Sequence, residues 1–135
     1  MTGSHSPVPH IIVTAAVVRR GNRFLVTRRP RGVHLEGYWE FPGGKCEPDE
    51  PLVECLKREI VEELGTAVRI EQELLAVTHE YPERTVELHF FACTLIDEPK
   101  ALLKQEIRWV ECGDLASLEL PPADAELIAM LQKMD

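Results

Sequence analysis

The sequence predicts a single α+β domain built on a mixed β-sheet, and three observations carry that expectation. Two long β-branched runs, at residues 11–18 and 85–96, read as strands with apolar side chains on both faces. An acidic stretch from Asp49 to Gly65 repeats its apolar residues at the helical period, and a second helical pattern follows Pro121 and Pro122. A chain of 135 residues, 44% hydrophobic and 28% charged, is long enough to close one core around such elements.

Residues 1–10 hold Gly, Ser, two His and two Pro without periodicity and read as a mobile arm, leaving residues 11–135 for the domain. The first strand spans residues 11–18, and Gly21 with Asn22 turns it into a second at 23–28. Residues 29–38, with Pro30, Gly32 and Gly37, suit a loop over a site. Glu40 to Pro42 is extended, and the following glycines, Gly43 and Gly44, permit close backbone approach. Asp49 is placed to cap the next helix, Pro51 fits its first turn, and Gly65 is suited to end it. Its apolar stripe is expected to be Val53, Leu56, Ile60 and Leu64.

Residues 68–80 and 85–96 read as strands joined through 81–84. Val86, Leu88, Phe90, Ala92 and Ile96 fall on one face of the second, and Phe91, Cys93 and Leu95 on the other, so layers on both sides are expected. Residues 106–111, with Trp109 and Val110, form a further strand. The final helix turns Leu127, Ile128 and Leu131 to one side.

A net charge of −8 argues against a nucleic-acid partner, because backbone binding depends on clustered Lys and Arg. A polyanionic small molecule would need metal ions or a local basic pocket. Cys46, Cys55, Cys93 and Cys112 form no C-x-x-C pair, and Cys55 and Cys93 read as buried thiols. No apolar run is long enough for a signal peptide or membrane span. These features together point to the reducing cytoplasm and to no membrane partner. Monomer and homodimer both remain open.

The chemistry is concentrated in the acidic helix. At about 100° per residue, Glu59, Glu62 and Glu63 share roughly a third of its circumference. Carboxylates at these spacings repel unless solvent, a basic partner or cations compensate. Hard divalent ions such as Mg²⁺ favour an oxygen-rich site of this kind. Glu50 lies about half a turn from Glu59 on the helical wheel and is assigned a structural pairing role.

The stretch from Gly44 to Thr66 resembles the signature of the Nudix hydrolases, G-x5-E-x7-R-E-U-x-E-E-x-G-U, where U is bulky and apolar. Gly44, Glu50, Arg58, Glu59, Ile60, Glu62, Glu63 and Gly65 stand at the required spacing, and only Thr66 departs, at a position that concerns packing. The resemblance implies an α/β/α sandwich with a mixed sheet. It also implies Mg²⁺-dependent hydrolysis of a nucleoside diphosphate linked to another group, with Mn²⁺ as a substitute ion. Glu59, Glu62, Glu63 and the carbonyl of Gly43 would hold metal, Arg58 would orient the carboxylates, and Gly44, Glu50 and Gly65 would be structural. Many relatives carry another catalytic Glu in a later loop. Here the expected position is Leu103, and Glu106 belongs to a strand, so the general base falls to the helix, with Glu59 the first choice. Lys104 is either a phosphate contact or a solvated lysine.

Beyond this box the chain resembles the MutT-type branch, which acts on oxidised purine nucleoside triphosphates. The runs TRR at 27–29, WEFPGGK at 39–45, HEYPER at 79–84 and PPAD at 121–124 carry the likeness. It implies that Arg29 and His34 lie against the nucleotide, Phe41 walls the base, Lys45 meets phosphate, and Tyr81 and Arg84 line the cleft. Asp124 stands where that branch has Asn. An ionised Asp only accepts hydrogen bonds, so it suits a base edge with donors, such as guanine or the amine of cytosine. A protonated Asp, or a plain helix-terminal carboxylate, are the other readings. The leading expectation is release of pyrophosphate from 8-oxo-dGTP. The alternatives are a CTP or 5-methyl-dCTP-type hydrolase and, in another class, a nucleotide sensor without turnover.

Overall fold

Alternation along the first strand explains how the whole molecule layers. In the computed structural model, which describes residues 8–33 and 35–134, strand β1 runs His10–Arg20. Ala15 and Val17 point into one apolar cluster while Ala16 and Val18 point into a second on the opposite face. Phe24 and Val26 of β2 (Arg23–Arg28) join the first cluster, and Leu25 joins the second. A strand covered on both faces needs a helix on each side. Helix α1 (Leu52–Leu64) supplies Leu56, Ile60 and Leu64 to one cluster, and α2 (Ala125–Met134) supplies Leu127, Ile128 and Leu131 to the other. The result is the α/β/α sandwich with a mixed sheet.

The sheet is mixed because β1 pairs parallel with β6 (Arg84–Leu95), from His10↔Thr85 to Val18↔Cys93, while its other neighbours are antiparallel. Those neighbours are β2 and the short β4 (Gly43–Lys45). Strand β5 (Val68–Tyr81) returns antiparallel beside β6 with two register shifts. Strands β3 (Trp39–Glu40) and β7 (Glu106–Glu111) both pair with β2.

Several expectations change in detail. Strand β1 starts at His10, inside the segment read as an arm, because His10 pairs with Thr85 and its ring bonds Glu87 at 3.0 Å. Residues 1–7 lie outside the described residues. Asp49 does not cap α1: it sits at a φ of 63° in the turn before the helix, and Pro51 is the N-cap with no side-chain bond. Val53 is 38% exposed, and the buried stripe is Cys55, Leu56, Ile60 and Leu64. Ile96 lies beyond the end of β6 and is exposed, so it does not share the face of Phe90. The last helix is preceded by a 3₁₀ turn, Pro122–Asp124.

Helix α1 ends where expected, with Gly65 in the left-handed region and its N–H on the carbonyl of Val61 at 3.1 Å. Its last carbonyls are then closed by a distant loop. Lys100 N donates to Leu64 at 2.8 Å and Leu102 N to Glu63 at 3.2 Å. Thr66, the departure from the signature, is buried and accepts from Asp97 N at 2.9 Å. Each buried Leu or Ile of α1 contributes about 1.5–3 kcal/mol, so the helix is held rigidly against the sheet.

Candidate active site

Helix α1 lies against β4 and β1, and the approach is as close as glycine allows. A methyl group at Gly44 would overlap the Glu59 carboxylate, and one at Gly43 would overlap the carbonyl of Thr14. A side chain at Gly43 would force β4 away from β1, and one at Gly44 would displace the Glu59 carboxylate.

Arg58 organises the acidic groups around this contact. Its guanidinium makes a fork to Glu50, Nε to Oε2 at 2.8 Å and Nη2 to Oε1 at 2.9 Å. Nη1 reaches Glu59 at 2.9 Å and Glu62 at 3.2 Å, and Nη2 also bonds the carbonyl of Lys45 at 3.1 Å. The Arg58 bond, helped by the N–H of Glu47, holds the Glu50 carboxyl down at about 2. Glu50 is thereby a partner of Arg58 and takes no place in the cavity.

On the other side of Glu59 stands Glu63, half-buried and within hydrogen-bonding reach of it. Burial comes first, then the Glu59 carboxylate and the more distant Glu40, and together they push Glu63 far above the usual carboxylate range. Two half-buried carboxyls this close repel one another unless a cation joins them. The pair therefore fits a hard divalent ion, with the backbone of Gly43 also beside Glu63.

A cavity of about 520 Å³ opens from this pair. Its wall includes Glu59, Glu63, Gly43 and Gly44, together with Phe41, Glu40 and Asp124. Arg28, Arg29, Lys45 and Arg84 also line it, a local basic set on a chain of net charge −8. Phe41 is buried and packs edge-on against Phe90, ring centroids 6.1 Å apart. Arg29 pairs with Glu40 at 3.0 Å. Tyr81 and Arg84 stand together on the cavity wall, the guanidinium over the ring at 5.9 Å, and Nε of Arg84 is buried without a hydrogen-bond partner.

Asp124 is only 4% exposed, and burial followed by repulsion from Glu40 raises its carboxyl to about 7. Glu40 is raised as well, by burial that its bond to Arg29 only partly offsets. Near neutral pH this part of the cavity wall therefore holds a carboxyl group able to donate as well as accept.

Of the residues singled out from sequence, Glu59, Glu63, Gly43, Gly44, Arg29, Phe41, Lys45, Tyr81, Arg84 and Asp124 line one cavity. Glu62 is held beside it by Arg58 with its side chain 55% exposed, and Gly65 sits behind, packed on Leu102. His34 lies outside the described residues. Leu103 lines the rim, whereas Lys104 is exposed and absent from the wall.

Two residues were missed. Glu40 sits inside the WEFPGGK run, and a carboxylate flanked by two buried aromatics, Trp39 and Phe41, was a readable signal. Gln105 is buried on the wall, its Nε2 donating to the carbonyl of Glu63 at 3.0 Å and its Oε1 accepting from Leu103 N at 2.9 Å. No local pattern announces it.

Comparison with known proteins matches a NUDIX domain over residues 13–130. The chain is 32% identical over 124 residues to the CTP pyrophosphohydrolase of Escherichia coli K12, covering 87% of this chain and 88% of that protein. It is 33% identical to the 8-oxo-dGTP diphosphatase of Haemophilus influenzae, covering 90% of each. Among solved structures, the MutT protein of Methanosarcina mazei Go1 superposes with a TM-score of 0.84 at 27% identity, covering 96% of this chain and 98% of that one. The E. coli ORF135 protein superposes at 0.80 and 30% identity, covering 94% and 91%.

Proposed function

The chain belongs to the Nudix family of hydrolases, and from that premise we propose that it cleaves a nucleoside triphosphate to the nucleoside monophosphate and pyrophosphate. The observation that carries this reading is the Glu59–Glu63 pair, two carboxyls that need a cation, in the wall of a cavity that also has basic and aromatic lining residues. Glu59, Glu62, Glu63 and the carbonyl of Gly43 hold Mg²⁺, for which Mn²⁺ can substitute. The bound ion neutralises phosphate charge and stabilises the leaving oxygen. Arg58 fixes Glu59 and Glu62 in place, Lys45 meets the phosphates, and Arg84 lines the cleft. Glu59 takes a proton from the attacking water. The loop supports that assignment, since Leu103 offers no acceptor and both ends of the Gln105 amide are already bonded.

The base sits between Phe41 and Asp124, with Arg29 and Tyr81 beside it. A neutral Asp124 acts as the amide of Asn would, which supports 8-oxo-dGTP as substrate. A second reading, CTP or a modified pyrimidine triphosphate, is supported by the ionised form, which accepts from an exocyclic amine, and by the CTP pyrophosphohydrolase likeness. Both readings place a small free nucleotide, acted on in the cytoplasm, in the cavity. Measuring kcat/KM for 8-oxo-dGTP, dGTP, CTP and 5-methyl-dCTP with Mg²⁺ decides between them. Equal or higher values for the cytidines overturn the purine choice, and no pyrophosphate from any nucleotide would favour a sensor.

A further inference from the structure

The signature segment brings two thiols together beside Arg58, neither of them on the cavity wall. Cys46 follows β4 and is partly exposed, while Cys55 lies in the first turns of α1 and is fully buried. Their sulfur atoms and a carboxylate oxygen of Glu50 all fall within 4.8 Å of one another. Neither cysteine occupies a defining position of the signature, and the hydrolytic roles assigned above use neither.

We propose that Cys46, Cys55 and Glu50 form a site for a soft divalent cation of the Zn²⁺ or Cd²⁺ class, separate from the carboxylate pair at Glu59 and Glu63. Donor type supports this, since thiolates select soft ions, whereas the all-oxygen cluster selects hard ones. Geometry supports it too. Glu50 Oε1 accepts from Glu47 N and Arg58, Oε2 accepts from Arg58 Nε, and the same carboxylate already lies within hydrogen-bonding reach of the Cys55 thiol. Three protein ligands leave a fourth tetrahedral position for water.

Charge balance is the strongest argument. With both thiols protonated, Glu50 and Arg58 cancel. With both ionised, two thiolates and one carboxylate balance a dication and Arg58, so the ion exchanges for two protons and the cluster stays neutral. The Cys46 thiol, pushed up to about 12 by burial and by the neighbouring Cys55, does not ionise by itself near neutral pH. Only an ion with strong thiolate affinity displaces those protons, which keeps Mg²⁺ out. Once bound, the ion ties the end of β4 to α1 across residues 46–55 and stabilises the fold by mass action.

The test is titration of the reduced, metal-free full chain with Cd²⁺ in excess Mg²⁺, which occupies the carboxylate site. The expected result is an ultraviolet thiolate-to-cadmium charge-transfer band saturating at one ion per chain, release of two protons per ion, and a raised Tm. Cys46→Ser, at a partly exposed position, should fold and lose the band and the Tm shift. Cys112→Ala, far from the site, should keep both. Absence of a band in the native chain, or an unchanged band in Cys46→Ser, would overturn the site.

Discussion

The two parts of the cavity wall are built in opposite ways. The metal-binding part comes from one continuous segment, residues 43–65, in which Arg58 reaches Glu50, Glu59, Glu62 and the carbonyl of Lys45. The other part is collected from Arg29, Glu40, Phe41, Tyr81, Arg84 and Asp124, which come from the ends of β2, β3, β5 and β6 and from the turn before α2. The first is a clamp in which Arg58 pairs with Glu50, Glu59 and Glu62, while Glu63 stands against Glu59. The second holds two carboxyls raised by burial, Glu40, which Arg29 partly offsets, and Asp124, which Glu40 raises further. Reaction type thus resides in local sequence, and base choice resides in a balance of charges that tertiary structure sets.

The largest test of this contrast is to remove a carboxylate from the clamp. Glu63→Gln or Glu62→Gln should lower turnover by orders of magnitude with circular dichroism unchanged, and near-normal pyrophosphate release in both variants would sink the metal assignment. Next is Arg58→Lys, which keeps the charge but loses the fork to Glu50. The expected fall in kcat is about 10- to 100-fold, the usual cost of disturbing groups that orient ligands.

In the other part of the wall, Asp124→Asn should leave pyrophosphate release intact but reduce kcat/KM for CTP relative to 8-oxo-dGTP by about tenfold, because an amide no longer offers a charge to the amine. The same variant probes pH. Burial raises Asp124 from 3.8 to about 7, so between those values the folded chain keeps a proton that the unfolded chain has lost. Stability of the metal-free protein should therefore fall as pH rises from about 4 to about 7 on account of Asp124, and go on falling toward about 9 on account of Glu63. Thermal melts across that window should show a shallower slope in Asp124→Asn, with Glu40 and Glu63, raised in the same sense, supplying the remainder.

The smallest effect concerns the join between the two parts. Gln105→Ala removes the bonds to Glu63 and Leu103, which should cost about 1–3 kcal/mol of stability and lower kcat modestly. Equal Tm values for variant and native chain would show that the loop does not brace the helix.

Local pattern was a good guide wherever neighbours in sequence are also neighbours in space. The ends of β2 and β7 coincide with residues 23–28 and 106–111, and Gly65 ends α1 through its own left-handed turn. Pattern failed where a residue's fate depends on what packs against it. Val53 fits the stripe by period, yet Cys55 takes the buried place because Thr14 and the Gly44 backbone face it. Gln105 carries no periodic signal, since its role comes from lying under a helix end 42 residues away in the chain.

By itself the sequence determined the carboxylate clamp, the two-sided sheet and the family, because helical spacing and strand alternation are short-range geometry. Only the tertiary structure decided that Glu40 faces Asp124, that burial makes both reluctant to ionise, and that Cys46 meets Cys55. Burial and electrostatic coupling depend on every group within several ångströms, and those groups come from segments that the chain order keeps apart.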